Sequence, residues 1–320
     1  MSNVKRLINA SKSEINKMGP LELKESIYKS EGRVIMGQHL IFAGPGTVMG
    51  VTNAELLCSF GADMVMLSTI DLDNFENNPG LCGLTIKELK EKCNCPIGVY
   101  LGCPKKGEKR SDEKTLYRLA GMLATKEHIL KAVALGVDFI VLGGNPGSGT
   151  SIEDVIEATK LVKEICGDDI FLFAGKWEDG IEEKVLGDPL AAYDTKDVIK
   201  RLIDAGADCI DLPAPGTRAG ITVDMIRELV EYIHRYKPGT LAMSFLNSSV
   251  ECADEDTIRQ VALLMKQTGC DIHAIGDGGF GGCTWPENIY QLSVSIKGKN
   301  YTWFRMASNR DRKSTRLNSS

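Results

Sequence analysis

One phrase of the sequence, Gly-x-Asp followed by an apolar run, occurs four times along the chain. The copies lie at residues 61–67, 136–142, 206–212 and 269–275. Each copy follows a segment with apolar residues three and four positions apart, which is the spacing of an amphipathic helix. Gly at this point suits the left-handed residue that ends a helix, and the apolar run suits a parallel strand covered on both faces. The phrase therefore predicts four junctions that lead from a helix into a buried strand.

Four further apolar runs alternate with these copies. They cover residues 33–42, 96–101, 170–174 and 241–246. Helical patterns separate the strands at residues 53–60, 85–92, 125–135, 152–165, 195–205, 223–236, 254–268 and 286–296. The copies are about 60 to 75 residues apart, which is two strand–helix units per copy. Eight alternating units predict an α/β fold of the (β/α)8 TIM-barrel type, with a doubly wound open sheet as the alternative.

The two ends of the chain differ from this pattern. Residues 1–32 precede the first strand, and an amphipathic helix is predicted at 21–30, so we expect an N-terminal helical extension over the N-terminal mouth of the barrel. The barrel itself is predicted over residues 33–310. Residues 311–320 share none of its periodicity and match the translation of a sequencing adapter. We interpret them as a disordered artefact and exclude them from fold reasoning, with a natural polar tail as the alternative.

Composition excludes several classes of protein. The net charge of −5 gives no argument for binding nucleic acid or a membrane surface. No apolar run approaches the length of about 18 residues that a membrane span needs, and no secretory signal is evident. Ten cysteines are scattered, and the close pair Cys93 and Cys95 lacks metal-ligand spacing. We expect a cytoplasmic protein with reduced thiols.

The loops that follow predicted strands four, six and eight are rich in glycine. In a TIM barrel the loops at the C-terminal ends of the strands carry the active site, and glycine lets backbone N–H groups approach an anion. We expect a cradle for phosphate or carboxylate, completed by the residues after strand seven; tight turns are the alternative. The candidate binding residues are Gly144, Asn145, Gly147, Ser148, Gly216, Thr217, Arg218, Asn247, Ser248, Gly278 and Gly279.

Three charged residues are candidates for catalysis. Lys176 follows the fifth strand and is either a Schiff-base amine or a cation that holds a charged substrate, with a surface lysine as the alternative. Asp277, in the turn after strand eight, is a general base, a metal ligand or a turn former. Asp211 lies inside the apolar sixth strand, where a carboxylate is costly without a partner. Lys176 or Arg218 is the partner that we expect across the barrel mouth.

Two histidines lie on strands that are neighbours in a closed barrel. His39 is late in strand one and His273 is in strand eight. Their approach would allow acid–base or metal chemistry, and His273 or His39 is then a proton shuttle. A pair of interior histidines with satisfied hydrogen bonds is the alternative.

Several motifs together resemble an uncharacterised bacterial barrel family. They are NAELLCSFGAD, GGNPGSGTS, FAGKW, LPAPGTRAGIT, ADEDTIR, DIHAIGDGGFGG, PENIYQLSVSIKG and FRMAS, and the resemblance covers roughly residues 20–310. Members carry labels such as phosphoenolpyruvate phosphonomutase-like protein or haloacid-dehalogenase-like hydrolase. The resemblance also implies sugar metabolism, through association with sugar phosphotransferase genes.

The residues do not support either label. The phosphonomutase group uses an Asp-rich metal motif and a Lys-Lys-Cys-Gly-His type loop, and the sequence contains neither. The dehalogenase group needs Asp-x-Asp-x-Thr/Val after its first strand. Asp71-Leu72-Asp73-Asn74-Phe75 matches this motif only in part and lies after strand two. We therefore discount aspartyl-phosphate hydrolysis.

These features predict an enzyme that binds a small phosphorylated or carboxylated metabolite, with aldolase-like lyase or isomerase chemistry. In this hypothesis Lys176 is the amine or clamp, and Asp277 or Asp211 is the general base. One alternative is a flavin- or nucleotide-phosphate-binding barrel, suggested by residues 276–279; another is a non-catalytic metabolite-binding protein. The sequence identifies no cofactor and leaves a divalent metal such as Mg²⁺ open. It also selects no face for a homo-oligomer.

Overall fold

The eight strands form one closed parallel barrel in sequence order. The computed structural model describes residues 4–105, 120–144, 148–176, 183–278 and 281–308. The strands are β1 (Val34–Leu40), β2 (Met64–Ser68), β3 (Ile97–Gly102), β4 (Phe139–Gly143), β5 (Phe171–Gly175), β6 (Cys209–Pro213), β7 (Leu241–Leu246) and β8 (Ile272–Ile275). Strand β1 pairs with both β2 and β8. The predicted (β/α)8 barrel is thereby confirmed, and the open sheet is excluded.

Helices alternate with the strands around the barrel. They are α1 (Lys12–Ile15), α2 (Pro20–Tyr28), α3 (Asn53–Ser59), α4 (Ile86–Lys92), α5 (Lys126–Ala134), α6 (Ile152–Cys166), α7 (Thr195–Asp204), α8 (Val223–Tyr236), α9 (Glu255–Gln267) and α10 (Pro286–Ala307). Helix α10 extends past the predicted end at residue 296 and is interrupted at Gly298, where φ is +78°. No helix among the described residues combines the length and the apolar character that crossing a bilayer would require.

Apolar side chains form two layers. One layer fills the barrel and includes Met36, Phe173 and Phe245, while the other lies between the strands and the surrounding helices. Leu7 and Ile27 pack in the interior layer. The segment before β1 therefore covers the N-terminal end of the barrel.

The four aspartates of the repeated phrase make matching contacts at the start of the even-numbered strands. Each accepts the backbone N–H of the preceding odd-numbered strand and contacts a basic side chain from the helix before that strand. The sets are Asp63 with Ile35 and Lys297, Asp138 with Ile97 and Lys90, Asp208 with Leu172 and Lys163, and Asp271 with Ala242 and His234. The preceding glycines have φ between +78° and +110°, as the phrase predicts. Four similar units therefore build the N-terminal face, where contacts of this kind serve stability.

The set around Asp63 is fully buried and joins both ends of the chain. Its carboxylate contacts Lys297 Nζ at 2.6 Å and Arg305 Nε at 3.0 Å. Arg305 also donates to the carbonyl oxygens of Asn94 and Leu7. Burial lowers the pKa of Lys297 to about 8, although the charge of Asp63 opposes this shift. The cluster fixes α10 against the N-terminal segment and the start of β2.

Candidate active site

Asp211 is a buried carboxyl group inside the C-terminal half of the barrel. Neighbouring Cys209 belongs to the interior layer, whereas Ile210 and Leu212 belong to the outer layer. Because side chains alternate along a strand, Asp211 projects into the barrel. It has no exposed surface, and neither carboxyl oxygen has a hydrogen-bond partner among the described residues. Burial raises the pKa of Asp211 well above its usual range, which favours the neutral acid over the carboxylate.

A glycine in the neighbouring strand makes room for this carboxyl group. Gly175 is the register partner of Asp211, and an added Cβ there would lie 2.8 Å from Asp211 Cβ. The predicted partnership of Asp211 with Lys176 or Arg218 is wrong. Neither cation contributes to the pKa shift, which burial alone causes. The sequence indicated that burying a carboxyl group in this strand costs stability. No hydrogen bond from the described residues offsets that cost.

Lys176 lies between the loops that follow β4 and β5. Its side chain is 3% exposed, and Nζ donates to the Thr150 carbonyl oxygen at 2.9 Å. Glu183 Oε2 lies 4.0 Å from Nζ and accepts the backbone N–H of Ile152, the first residue of α6, at 2.7 Å. The amine is therefore held as a hydrogen-bond donor beside a carboxylate at a helix N-terminus.

In the loop after β4, hydroxyl groups hold the loop itself. Ser148 Oγ donates to Thr150 Oγ1 at 3.0 Å, and Thr150 Oγ1 donates to the Cys103 carbonyl oxygen. Gly144 packs directly against Thr150. The predicted binding residues Asn145 and Gly147 lie outside the described residues.

The loop after β6 uses two of its candidates to form turns. Gly216 has a φ of +80°, and an added Cβ there would lie 3.2 Å from Leu264. Thr217 Oγ1 donates to the Ala214 carbonyl oxygen at 2.7 Å. Arg218 is half-buried in the same loop. For Gly216 and Thr217 the contacts fit the tight-turn alternative.

The residues after β7 and β8 meet at the opposite side of the mouth. Ser248 Oγ accepts the Val250 N–H at 3.3 Å, and Asn247 beside it is half-buried. Gly278 has a φ of +73°, and an added Cβ there would overlap the Cys283 carbonyl oxygen. Asp277 is half-buried next to it. Gly279 lies outside the described residues.

The prediction that His39 and His273 approach each other is wrong. His273 is paired with Ile35 in the register of β1 and β8, so His39 lies four residues further along β1, about 13 Å at the usual rise. Alternation also turns both side chains toward the helices, because Met36 and Ala274 face the interior. His273 Nε2 donates to the Gly32 carbonyl oxygen. Both rings therefore lie outside the mouth that holds Asp211.

Burial decides the charge of these two histidines. It lowers the pKa of His39 to about 3 and that of His273 to about 4. Neither ring nitrogen of His39 has a hydrogen-bond partner among the described residues. Both rings are neutral at pH 7, and their position makes them packing residues rather than proton shuttles.

Polar residues on β1 and β2 also face the interior. Gln38 Nε2 donates to Ser68 Oγ at 2.8 Å. Directly after β2, Thr69 has a φ of +56°, which is a strained conformation for a β-branched residue. The sequence gives no signal for this strain, because Thr69 sits in an ordinary apolar context.

Glu251 is a second buried carboxylate at the mouth, and the sequence analysis missed it. It lies in the short 3-10 helix Ser249–Cys252 that follows β7, and it is 5% exposed. An added Cβ at Gly276 would overlap Glu251 Oε2. The sequence signal would have been an acidic residue two positions after the Asn-Ser-Ser turn, but a loop residue gives no periodic pattern.

The partial dehalogenase motif forms a turn. Asp71 Oδ1 accepts the N–H groups of Asp73 and Asn74 at 2.9 and 3.1 Å, and Asn77 donates to Asp71 Oδ2. The carboxylate of Asp71 is thus used within its own loop. The barrel topology does not suit that hydrolase group either, so the label is not supported. Among the described residues, no three His, Cys, Asp or Glu side chains are arranged to hold a metal ion.

Comparisons with solved structures return other barrels. A Schiff-base-forming fructose-1,6-bisphosphate aldolase aligns over 87% of this chain and 98% of that chain, at 11% identity and a TM-score of 0.51. An archaeal fructose 1,6-bisphosphate aldolase aligns over 88% and 100%, at 12% identity and a TM-score of 0.51. The carboxyl transferase domain from Rhizobium etli pyruvate carboxylase aligns over 98% of this chain and 53% of that chain, at 13% identity and a TM-score of 0.53. At this identity the likeness shows the fold alone.

Sequence comparison places the chain in a family without assigning it an activity. A search of curated proteins found no match. The domain of unknown function DUF7916 matches residues 8–312, which is nearly the whole chain. The protein therefore belongs to the DUF7916 family.

Proposed function

We propose that this protein is a barrel enzyme that stabilises the enol or enolate form of a small anionic carbonyl compound. This chemistry is common to aldol-type cleavage and to isomerisation. The observation that carries the proposal is the carboxyl group of Asp211, which lies buried at the C-terminal end of the barrel with no hydrogen-bond partner among the described residues. A site that keeps such a costly group is a candidate for function.

Asp211 has the properties of an acid that meets a developing oxyanion. A protonated carboxyl group in an apolar site donates a hydrogen bond to the carbonyl oxygen as negative charge forms there. The low dielectric around Cys209 and Met243 strengthens that hydrogen bond in the transition state. In this role Asp211 is a hydrogen-bond donor and general acid rather than the general base that the sequence suggested.

Lys176 supports binding of a substrate with a phosphate or carboxylate group. Its ammonium group and the N-terminus of α6 both favour an anion at the junction of the β4 and β5 loops. Glu183 supplies a negative charge there in this conformation. The hydrogen bond from Nζ to the Thr150 carbonyl oxygen favours the role of a cationic clamp over that of a Schiff-base nucleophile. We keep cytoplasmic location and sugar metabolism as expectations.

Hydrogen exchange tests the proposal without knowledge of the full reaction. Pyruvate and dihydroxyacetone phosphate are incubated with the protein in D2O, and loss of the C–H signal next to the carbonyl group is followed by proton NMR. We expect exchange above the rate without protein for at least one compound. Asp211→Leu should lower that rate by about 10²–10³-fold, as expected for loss of one oxyanion donor.

Two further variants sharpen the result. Asp211→Asn keeps a hydrogen-bond donor but cannot transfer a proton, so it should lie between wild type and Asp211→Leu. Ser244→Ala is the matched control, because it removes another buried polar group that has no hydrogen-bond partner among the described residues, from the outer face of β7. Equal rates for Asp211→Leu and Ser244→Ala would contradict the proposal. A yellow protein without exchange would favour the flavin-binding alternative.

A further inference from the structure

We propose that Glu251 is the base that removes the proton from the carbon next to the substrate carbonyl group. This inference rests on the proposed function and completes it, because Asp211 is an acid and the enolisation step also needs a base.

The carboxylate of Glu251 occupies the place of an inward-facing side chain on β8. Ile272 and Ala274 belong to the interior layer, so alternation directs position 276 into the barrel mouth as well. That position is Gly276, and the volume of its missing side chain holds Glu251 Oε2. A residue from the loop after β7 thereby presents its carboxylate inside the mouth.

The backbone of Glu251 is fixed by the start of α10. Thr284 Oγ1 and Asn288 Nδ2 donate to the Glu251 carbonyl oxygen at 3.0 and 2.9 Å. Asn288 also donates to the Ala253 carbonyl oxygen at 2.9 Å. These contacts hold the short helix Ser249–Cys252 in one position, which a catalytic base needs.

Asp211 and Glu251 then divide the proton transfers. The Glu251 carboxylate takes the proton, and the electron pair of the broken C–H bond forms the carbon–carbon double bond of the enol. The carbonyl oxygen takes its proton from the Asp211 carboxyl group. Glu251 then returns its proton to a carbon of the enol while an enol O–H proton passes back to Asp211, which restores a carbonyl group and both side chains. Return to the original carbon gives the substrate, and return to the neighbouring carbon gives an isomer; exchange of the Glu251 proton with solvent before its return gives the deuterium incorporation.

Two variants separately test whether Glu251 acts as a base and whether its carboxylate must lie inside the mouth. Glu251→Gln keeps the shape of the side chain and removes the base, so we expect at least about a 10²-fold loss of exchange. Gly276→Ala keeps Glu251 but forces its carboxylate out of the mouth, and it should show a similar loss. Gly102→Ala is the matched control: it adds a methyl group to another strand-end glycine, where the nearest atom is Leu123 Cδ2 at 3.6 Å.

The pH dependence separates a base from a structural residue. Exchange by wild type should rise with pH as the proposed base loses its proton, and Glu251→Gln should lose this rise. Glu251→Asp should recover part of the rate. Circular dichroism and the melting temperature confirm that each variant is folded.

The outcomes distinguish this inference from the proposed function. No exchange by folded wild type would overturn both. Exchange that depends on Asp211 but is unchanged in Glu251→Gln and Gly276→Ala would overturn the role of Glu251 alone. Loss of exchange in Gly102→Ala to the same extent as in Gly276→Ala would also overturn it.

Discussion

At the scale of single residues, Asp211 combines a cost in stability with the chemistry that we propose. Its folded pKa is raised above the unfolded value of 3.8, so the folded state keeps a proton that the unfolded state releases as pH rises. The contribution of Asp211 to stability therefore falls with increasing pH above about 3.8. Buried acids that serve only stability are normally paired, whereas Asp211 has no hydrogen-bond partner in the part of the chain that the structure describes.

Asp211→Asn should therefore stabilise the protein at neutral pH. The amide cannot ionise, so the difference in unfolding free energy between variant and wild type should grow by about 1.4 kcal/mol per pH unit between the unfolded and folded pKa values. Urea unfolding at pH 5 and pH 8 measures this difference. A difference that is the same at both pH values would show that Asp211 is ionised in the folded protein.

Lys176 gives a second test at the residue scale. If its amine is a cationic clamp, borohydride reduction in the presence of pyruvate or dihydroxyacetone phosphate should leave the mass of the protein unchanged. Lys176→Met should reduce the rise in melting temperature that dihydroxyacetone phosphate produces, because the anion loses its cation. A reduced adduct on Lys176, located by peptide mass spectrometry, would instead identify a Schiff-base enzyme.

At the scale of elements, the aspartate at the start of each even-numbered strand predicts a ranking of stability effects. Asp63 and its partner Lys297 are fully buried, whereas Asp138 and its partner Lys90 are both partly exposed. Burial also raises the pKa of Asp138, although Lys90 acts in the opposite direction. The ion pair of Asp138 with Lys90 therefore adds little to the free energy of unfolding. The four sites look alike in sequence, but they differ in burial and in the basic side chains that contact each aspartate.

Asp63→Asn should cost about 3–5 kcal/mol of unfolding free energy, because it leaves buried cations without a counter-charge. Asp138→Asn should cost no more than about 1 kcal/mol, as for a partly exposed pair. Asparagine can still accept the backbone N–H at both positions, so each variant measures the effect of removing the negative charge. Urea denaturation of both variants gives the comparison, and equal costs would contradict the ranking.

At the scale of the whole molecule, the fold follows from patterns that the sequence displays openly. The four glycines and their aspartates mark the strand starts, and capping side chains such as Thr85 and Asp254 mark helix starts.

The mouth was harder to predict. Both faces of a buried parallel strand are apolar, so the sequence does not show that His39 faces outward while Asp211 faces inward. Glu251 depends on a space at Gly276 that only the folded chain creates.

His39, whose side chain faces the helices, gives a prediction for the stability of the whole molecule in acid. The folded pKa of His39 is about 3, below its unfolded value of 6.5. Below about pH 6.5 the unfolded state binds protons that the folded state does not, so stability falls as pH falls toward 3. In His39→Leu, the loss of unfolding free energy between pH 6.5 and 4.5 should be smaller by up to about 1.4 kcal/mol per pH unit. Identical pH dependence in wild type and variant would contradict the neutral, buried His39.

The proposed function requires a neutral carboxylic acid at Asp211, at the C-terminal end of the barrel. Infrared difference spectroscopy between wild type and Asp211→Asn at pH 7 tests it most directly. A carbonyl band of a protonated carboxyl group should be present in wild type and missing from the variant. A difference spectrum that contains only carboxylate bands would contradict it.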